Sequence, residues 1–162
     1  PEKKWRSGLK QDAAILSALQ HNDRNTLSLG GDFIERVDCS GFVRTILFMH
    51  DIIIPRDASQ QAYVGEHIDI ASDFSNLQPG DLIFFGRKAT AERKERVVHV
   101  GMYIGGSVFI HSQGDVHISS FDPLDELFDE YNLGALLFAT RVLPYINKKT
   151  GLNTTATNEY YE

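Results

Sequence analysis

The chain contains a single cysteine, and its sequence context is typical of a nucleophile. Cys39 lies in Asp38-Cys39-Ser40-Gly41-Phe42, at the start of an apolar run with helical spacing. A thiol at a helix N-terminus is close to unpaired backbone N–H groups and to the positive end of the helix dipole, and both favour the thiolate. The same N–H groups could stabilise an oxyanion. We therefore expect Cys39 to be the nucleophile of a thiol hydrolase.

Histidines on two strand-like segments are the candidates for the base that this thiol needs. In an alternating strand, His99 and Gly101 share one face, and Gly101 leaves room beside the imidazole. We expect the opposite, aliphatic face to pack on the core; it carries Val98, Val100, Met102 and Ile104. His99 is therefore the predicted general base. The alternative is an exposed strand histidine with no role in catalysis.

The loop between the two strands decides whether His111 can reach His99. A two-residue loop at Gly105-Gly106 would place the two histidines on opposite faces of the sheet. A three-residue loop, Gly105-Gly106-Ser107, would pair Gly101 with His111 and make the histidines diagonal neighbours on one face, roughly 7–8 Å apart. Such hairpins are common with glycine. We predict the odd loop, with His111 orienting His99 as the third member of a triad does.

A zinc site is the competing use of cysteine and histidine, but the short paired spacings of structural zinc ligands are absent from the sequence. We expect no metal and no organic cofactor. His117 follows the hairpin and is expected to point to solvent. The other histidines are weaker candidates, because His50 fits the core side of its helix and His21 and His67 fall in loop-like stretches.

The remaining pattern predicts helices first and strands afterwards, which favours an α+β fold with an antiparallel sheet packed on the cysteine helix. We expect a domain from residue 1 to 145, followed by a polar tail from 146 to 162, which is expected to be mobile from Lys148 to Glu162. The predicted helices are Gly8–Gln20, Cys39–His50 and Ala58–Val64. The predicted strands are Leu82–Phe85, Val97–Ile104, Val108–Ser112, Val116–Ser119 and Leu136–Leu143.

Composition narrows the class of protein. The 162 residues are enough for one domain with a sizeable core. A net charge of −6 argues against general nucleic-acid binding, and no apolar run has membrane-spanning length. The start, Pro1-Glu2-Lys3-Lys4, is expected to be a processed or trimmed terminus.

Four motifs in register resemble the NlpC/P60 cysteine peptidases of bacterial cell-wall peptides. They are Asp38-Cys39-Ser40-Gly41-Phe42-Val43, Leu77-Gln78-Pro79-Gly80-Asp81-Leu82-Ile83-Phe84-Phe85, His99-Val100-Gly101-Met102-Tyr103-Ile104-Gly105 and Phe109-Ile110-His111-Ser112. Each motif alone is a weak signal, but their order and spacing agree over about residues 25 to 145. The resemblance implies a papain-like α+β fold and a Cys39, His99 and His111 triad.

Two further segments are similar to the γ-D-glutamyl-L-diamino acid endopeptidases of the YkfC type. They are Pro55-Arg56-Asp57-Ala58-Ser59-Gln60-Gln61 and Val116-His117-Ile118-Ser119-Ser120. The resemblance implies cleavage between γ-D-Glu and the diamino acid of small muropeptides. It also implies that Asp38 and Ser40 hold the free amine of L-Ala and that Ser59 belongs to the substrate pocket. Helix capping is the other role open to Asp38, and the two are compatible.

Two departures from this pattern bear on the substrate. Leu27 and Leu29 stand where relatives carry an aromatic pair before a double glycine. The chain also has no room for the N-terminal SH3-like domains of YkfC-type relatives, so it is either a catalytic domain from a longer protein or an enzyme with a more open cleft. We expect stem peptides as partners and the bacterial envelope, periplasmic or secreted, rather than the cytoplasm, although muropeptide recycling occurs in either. A catalytically impaired muropeptide-binding module and a CHAP-like amidase or lipid acyltransferase remain alternatives.

Overall fold

The computed structural model describes residues 38–158, so the predicted helix Gly8–Gln20 and the positions Leu27 and Leu29 lie outside the described residues. The described helices are α1 (Cys39–Met49), α2 (Ala58–Gln61) and α3 (Glu130–Gly134), with 3₁₀ turns at Leu143–Tyr145 and Thr155–Thr157. The strands are β1 (Ile52–Ile53), β2 (Glu66–Ile68), β3 (Leu82–Arg87), β4 (Arg96–Gly105), β5 (Val108–Gln113), β6 (Asp115–Ser120), β7 (Leu136–Arg141) and β8 (Asn153–Thr154).

Six of these strands form an antiparallel sheet in the order β2-β7-β3-β4-β5-β6. Helix α1 packs across β4 and β5, which confirms the predicted α+β arrangement. Both faces of the central strands are buried, and β3 reads as a continuous apolar run for this reason. Phe84 and Val100 face the core under α1, whereas Phe85 and Phe109 belong to a second core on the other face.

Helix α1 begins at Cys39 because Asp38 caps it. The Asp38 backbone is extended, and its carboxylate accepts a hydrogen bond from the Gly41 N–H at 2.7 Å. Phe42, Val43 and Leu47 form the buried stripe of the helix. The sequence predicted this helix to His50, and the structure ends it at Met49 with His50 as the C-cap.

The expected alternation of β4 side chains between the two faces of the sheet is interrupted at Val98. Phe85 pairs with His99 and Gly86 pairs with Val97, so Val98 is the extra residue of a β-bulge. Its side chain is 53% exposed, and the prediction that Val98 packs with the aliphatic core face is therefore wrong. Val100, Met102 and Ile104 do pack there.

Part of the expected tail is packed on the domain. Strand β8 pairs antiparallel with β1, placing Asn153 opposite Ile53. Leu152 is completely buried in the core under α1. Residues 152–154 therefore pack on the domain, while a domain boundary at residue 145 stays a prediction. Within residues 38–158, the structure has no helix that is long and apolar enough to span a bilayer.

Candidate active site

Cys39 is the first residue of α1, is half-buried and packs against the core under the helix. The helix start is anchored by Gln61, a completely buried residue that the sequence analysis did not single out. Its side-chain amide donates to the Ser40 carbonyl at 3.1 Å and to the Pro55 carbonyl at 2.9 Å. A fixed helix start keeps the thiol and the nearby N–H groups in constant relative positions, as nucleophilic catalysis requires.

The β4–β5 hairpin has the predicted register but a different loop. Gly101 pairs with His111, as expected. The turn, however, consists of Gly106 and Ser107, both with positive φ, and Gly105 pairs with Val108. Ile104 is then the extra residue of a bulge. A two-residue turn plus this bulge residue gives the same strand register as the predicted three-residue loop. The predicted three-residue loop, Gly105-Gly106-Ser107, is therefore wrong, whereas the parity that puts both histidines on one face is confirmed.

His99 and His111 form a hydrogen-bonded pair. The Nε2 atom of His99 lies 2.8 Å from the Nδ1 atom of His111. The His111 ring is completely buried, and its Nε2 atom lies 3.0 Å from the Ser119 hydroxyl. His117 is directly opposite His111 on β6, and the two ring centroids are 4.2 Å apart. His117 is thus not simply directed to solvent, since its ring edge packs on His111 while its side chain is 38% exposed.

Burial keeps both histidines of the pair neutral at neutral pH. Desolvation lowers the pKa of His99 to about 4 and the pKa of His111 to about 3. The neighbouring His117 acts in the same direction, and the Asp129 carboxylate opposes it. A neutral imidazole carries one nitrogen lone pair, so His99 is in the form that can accept a proton from a thiol.

Arg56, which the sequence analysis did not assign a role of its own, joins two of the predicted substrate-binding residues. Its guanidinium donates to both oxygens of Asp38, at 3.0 and 2.6 Å, and to the Ser40 hydroxyl at 3.0 Å. The bond from Arg56 has the largest effect and lowers the pKa of Asp38; burial opposes it, and the Gly41 N–H lowers the pKa further by a smaller amount than burial raises it. Asp38 therefore caps the helix and holds an ion pair at once, and its binding role stays a prediction.

Ser59, the third predicted substrate-binding residue, lies on α2, where it is exposed. The structure therefore brings together Asp38 with Ser40, and His99 with His111, and packs the cysteine helix on the two histidine strands. Ser59 remains a predicted pocket residue on the strength of its sequence position.

A row of three histidines on one sheet face raises the question of a metal. Across the part of the chain that the structure describes, no group of three or more His, Cys, Asp or Glu side chains has a geometry that could hold an ion. The Nε2 atom of His99 and the Nδ1 atom of His111 instead face each other, and the Nε2 atom of His111 faces Ser119.

Comparison with known proteins agrees with this architecture. The model of the NlpC/P60 family matches residues 24–136. A γ-D-glutamyl-L-lysine dipeptidyl-peptidase of Bacillus cereus is 49% identical over 75 residues, covering 46% of this chain and 20% of that protein. The murein DD-endopeptidase MepS/murein LD-carboxypeptidase of Escherichia coli is 36% identical over 85 residues, covering 52% of this chain and 40% of that protein. The chain thus matches less than half the length of either relative.

Among solved structures, an NlpC/P60 family protein from Bacillus cereus superposes with a TM-score of 0.53 at 36% identity, covering 66% of this chain and 32% of that chain. The family match extends over more than half of the sequence and includes Cys39 and both histidines of the pair. The expected family and fold are thereby confirmed: this chain belongs to the NlpC/P60 family.

Proposed function

We propose that the chain is a cysteine peptidase that hydrolyses the bond between γ-D-Glu and the diamino acid of peptidoglycan stem peptides. The observation that carries this proposal is the 2.8 Å contact between His99 and His111 on the sheet that supports the Cys39 helix. A neutral histidine oriented by a second one, on strands that pack against a helix beginning with a thiol, fits the arrangement that acyl transfer through a thioester needs.

In the proposed reaction, the Nδ1 atom of His99 accepts the thiol proton, because Nε2 is engaged by His111. The Cys39 thiolate attacks the γ-carbonyl carbon, and N–H groups at the start of α1 stabilise the oxyanion. His99 returns the proton to the leaving amine of the diamino acid as the C–N bond breaks. Water, deprotonated by His99, then hydrolyses the thioester and releases the dipeptide.

Support for the substrate class comes from the relatives and from the charges beside Cys39. One relative is named for a γ-D-glutamyl-L-lysine peptide and another for murein. L-Ala-γ-D-Glu-diamino acid carries an ammonium on L-Ala and a free α-carboxylate on D-Glu. Asp38 and Arg56 supply the opposite charges next to the nucleophile, so we assign the ammonium to Asp38 and the carboxylate to Arg56. Ser40 and Ser59 are proposed to complete this pocket.

We further propose that the protein works in the bacterial cell envelope, where intact peptidoglycan is found, since one relative is named as a murein endopeptidase. Stem peptides are its proposed partners.

The test is incubation of the full chain with L-Ala-γ-D-Glu-L-Lys and with its diaminopimelate counterpart, followed by mass spectrometry. The proposal expects L-Ala-γ-D-Glu and the free diamino acid from at least one peptide, and no product with Cys39→Ala. A parallel incubation with a complete muropeptide tests for a CHAP-like amidase, which would cleave only between muramic acid and L-Ala. Binding of the peptides without turnover would identify a muropeptide-binding module.

A further inference from the structure

A buried polar chain continues behind His111 to a carboxylate that neither the motifs nor the family match assigns. The His111 Nε2 atom lies 3.0 Å from the hydroxyl of Ser119, which is 5% exposed. The Asp129 carboxylate is the next group: its Oδ2 atom lies 3.9 Å from the His111 Nε2 atom, and an interaction with the Ser119 hydroxyl lowers the pKa of Asp129. Asp129 is held in place as the N-cap of α3, where its two oxygens accept from the backbone and side-chain amides of Asn132, at 2.9 and 2.7 Å.

The direction of every hydrogen bond in this network of side chains follows from the Asp129 carboxylate. An ionised carboxylate only accepts, so the single hydroxyl proton of Ser119 points to Asp129. The Ser119 oxygen must then accept from His111, which places the His111 proton on Nε2 and leaves a lone pair on Nδ1. That lone pair accepts the Nε2 proton of His99 across the 2.8 Å contact. His99 is left with its lone pair on Nδ1.

We propose that Asp129 is a positioning residue that acts through Ser119 to fix the tautomers of His111 and His99, so that His99 presents an unprotonated Nδ1 to the nucleophile. The value of this for catalysis rests on the proposed function, but the tautomers themselves do not. Asp129 is ionised at neutral pH: burial raises its pKa, but the bonds from Asn132 and Ser119 together lower it below the ordinary value.

The other groups around His111 do not supply the same control. The Nε2 atom of His111 is 3.9 Å from the nearest Asp129 oxygen, which is too long for a direct hydrogen bond, so Ser119 must mediate. His117 contributes a ring edge, and its Nδ1 atom donates to the Asp115 carbonyl at 3.1 Å. Ser119 and Asp129 are therefore the pair to test.

The first experiment reads the tautomers directly, by ¹⁵N NMR of the histidine rings in the full chain at neutral pH. The proposal expects protons on Nε2 of both His99 and His111. In Asp129→Asn the side-chain amide can donate to Ser119. The hydrogen bonds from Ser119 to His99 can then run in the opposite direction, so both rings are expected to move toward the Nδ1–H form. Asn is as good an N-cap as Asp, which preserves α3. Asp122→Asn, which changes an exposed carboxylate in the preceding loop, is the matched control.

The second experiment measures turnover of the peptide that the wild type cleaves. Asp129→Asn is expected to lower kcat about 10- to 100-fold with KM changed less than about threefold, because orientation of the base matters mainly in the transition state. Ser119→Ala is expected to have a similar effect, and Asp129→Asn in the Ser119→Ala background is expected to add less than about twofold. Asp122→Asn should stay within about twofold of wild type.

An Nδ1–H tautomer at either ring in the wild type would overturn the proposal, whether or not the chain proves to be a peptidase. Unchanged ring tautomers in Asp129→Asn would also overturn it. Additive effects of the Ser119 and Asp129 variants on kcat would show that the two residues act separately. Failure of the proposed function would appear differently, as absence of turnover in the wild type with the expected tautomers intact.

Discussion

The Nε2 atom of His99 lies 2.8 Å from the Nδ1 atom of His111, although the two residues are twelve positions apart in the chain. The contact depends on one extra residue at Ile104, since without that bulge the two-residue turn would put His111 on the opposite face of the sheet. Gly101 lies directly across from His111 and leaves the space in which the rings approach.

Gly101→Ala should damage this pair. A Cβ at residue 101 would lie 3.2 Å from the Cβ of His111 and 3.1 Å from the Ile110 carbonyl oxygen. We expect a loss of about 1–3 kcal/mol in the free energy of unfolding, from overpacking, and a fall in kcat of at least about tenfold. Gly134→Ala is the control, because a Cβ there meets nothing within 4 Å. Full activity in a stable Gly101→Ala protein would show that the spacing of the rings is unimportant.

The Asp38 and Arg56 ion pair should divide substrate recognition by charge. Acetylating the L-Ala amine is expected to reduce kcat/KM by about tenfold or more, and Asp38→Asn should narrow the difference between free and acetylated peptides. The Arg56→Gln variant should instead discriminate less between the peptide with a free D-Glu α-carboxylate and the peptide in which that carboxylate is amidated. Arg44→Gln, an exposed change on the same helix, is the control. Equal loss on all three peptides would mean that the pair only stabilises the helix start.

The two buried histidines should make stability fall in mild acid. Their pKa values are lowered from 6.5 to about 4 for His99 and about 3 for His111, mainly by burial, so the unfolded chain binds more protons between these limits. The contribution of these two histidines to the free energy of unfolding should be constant above about pH 6.5 and should decrease as the pH falls towards 4. Urea titrations at each pH measure it. His111→Gln should flatten the slope, and exposed His67→Gln should not; identical slopes would contradict the prediction.

The C-terminal segment should contribute to stability. Leu152 is fully buried, so Leu152→Ala is expected to cost about 2–5 kcal/mol in the free energy of unfolding. Leu124 is 94% exposed, and the same substitution there should change stability by less than about 0.5 kcal/mol. Denaturant unfolding compares the two. Similar small effects would mean that residues 152–154 do not support the core.

The sequence predicted the elements whose patterns are local. The apolar period after Cys39 identified α1, the glycine-rich turn identified the hairpin, and parity arguments placed His111 opposite Gly101. The bulges at Val98 and Ile104 were not predictable, because an extra residue in a strand is fixed by tertiary packing and leaves no periodic signal. The same limit hid the pairing of β8 with β1, since two residues of strand carry too little pattern.

Residues that act on the site from a distance were also missed. Arg56 reaches Asp38 across eighteen positions, and Gln61 reaches Ser40 across twenty-one. Both lie in the Pro55-Arg56-Asp57-Ala58-Ser59-Gln60-Gln61 segment, so the similarity of that segment to relatives was a signal, but its only assigned role was at Ser59. Asp129 lies in an acidic stretch whose composition indicates no role at the site, and only the fold brings it near Ser119.

If Cys39 is the nucleophile, it carries the acyl group of the substrate as a thioester, and this intermediate can be trapped. Wild-type protein is mixed with L-Ala-γ-D-Glu-diamino acid, quenched in acid within milliseconds to seconds, and weighed intact by mass spectrometry. The account predicts a mass gain equal to L-Ala-γ-D-Glu minus water, mapped to Cys39 after digestion, with neither adduct nor dipeptide product in Cys39→Ala. Release of the dipeptide at the wild-type rate by Cys39→Ala would contradict the account.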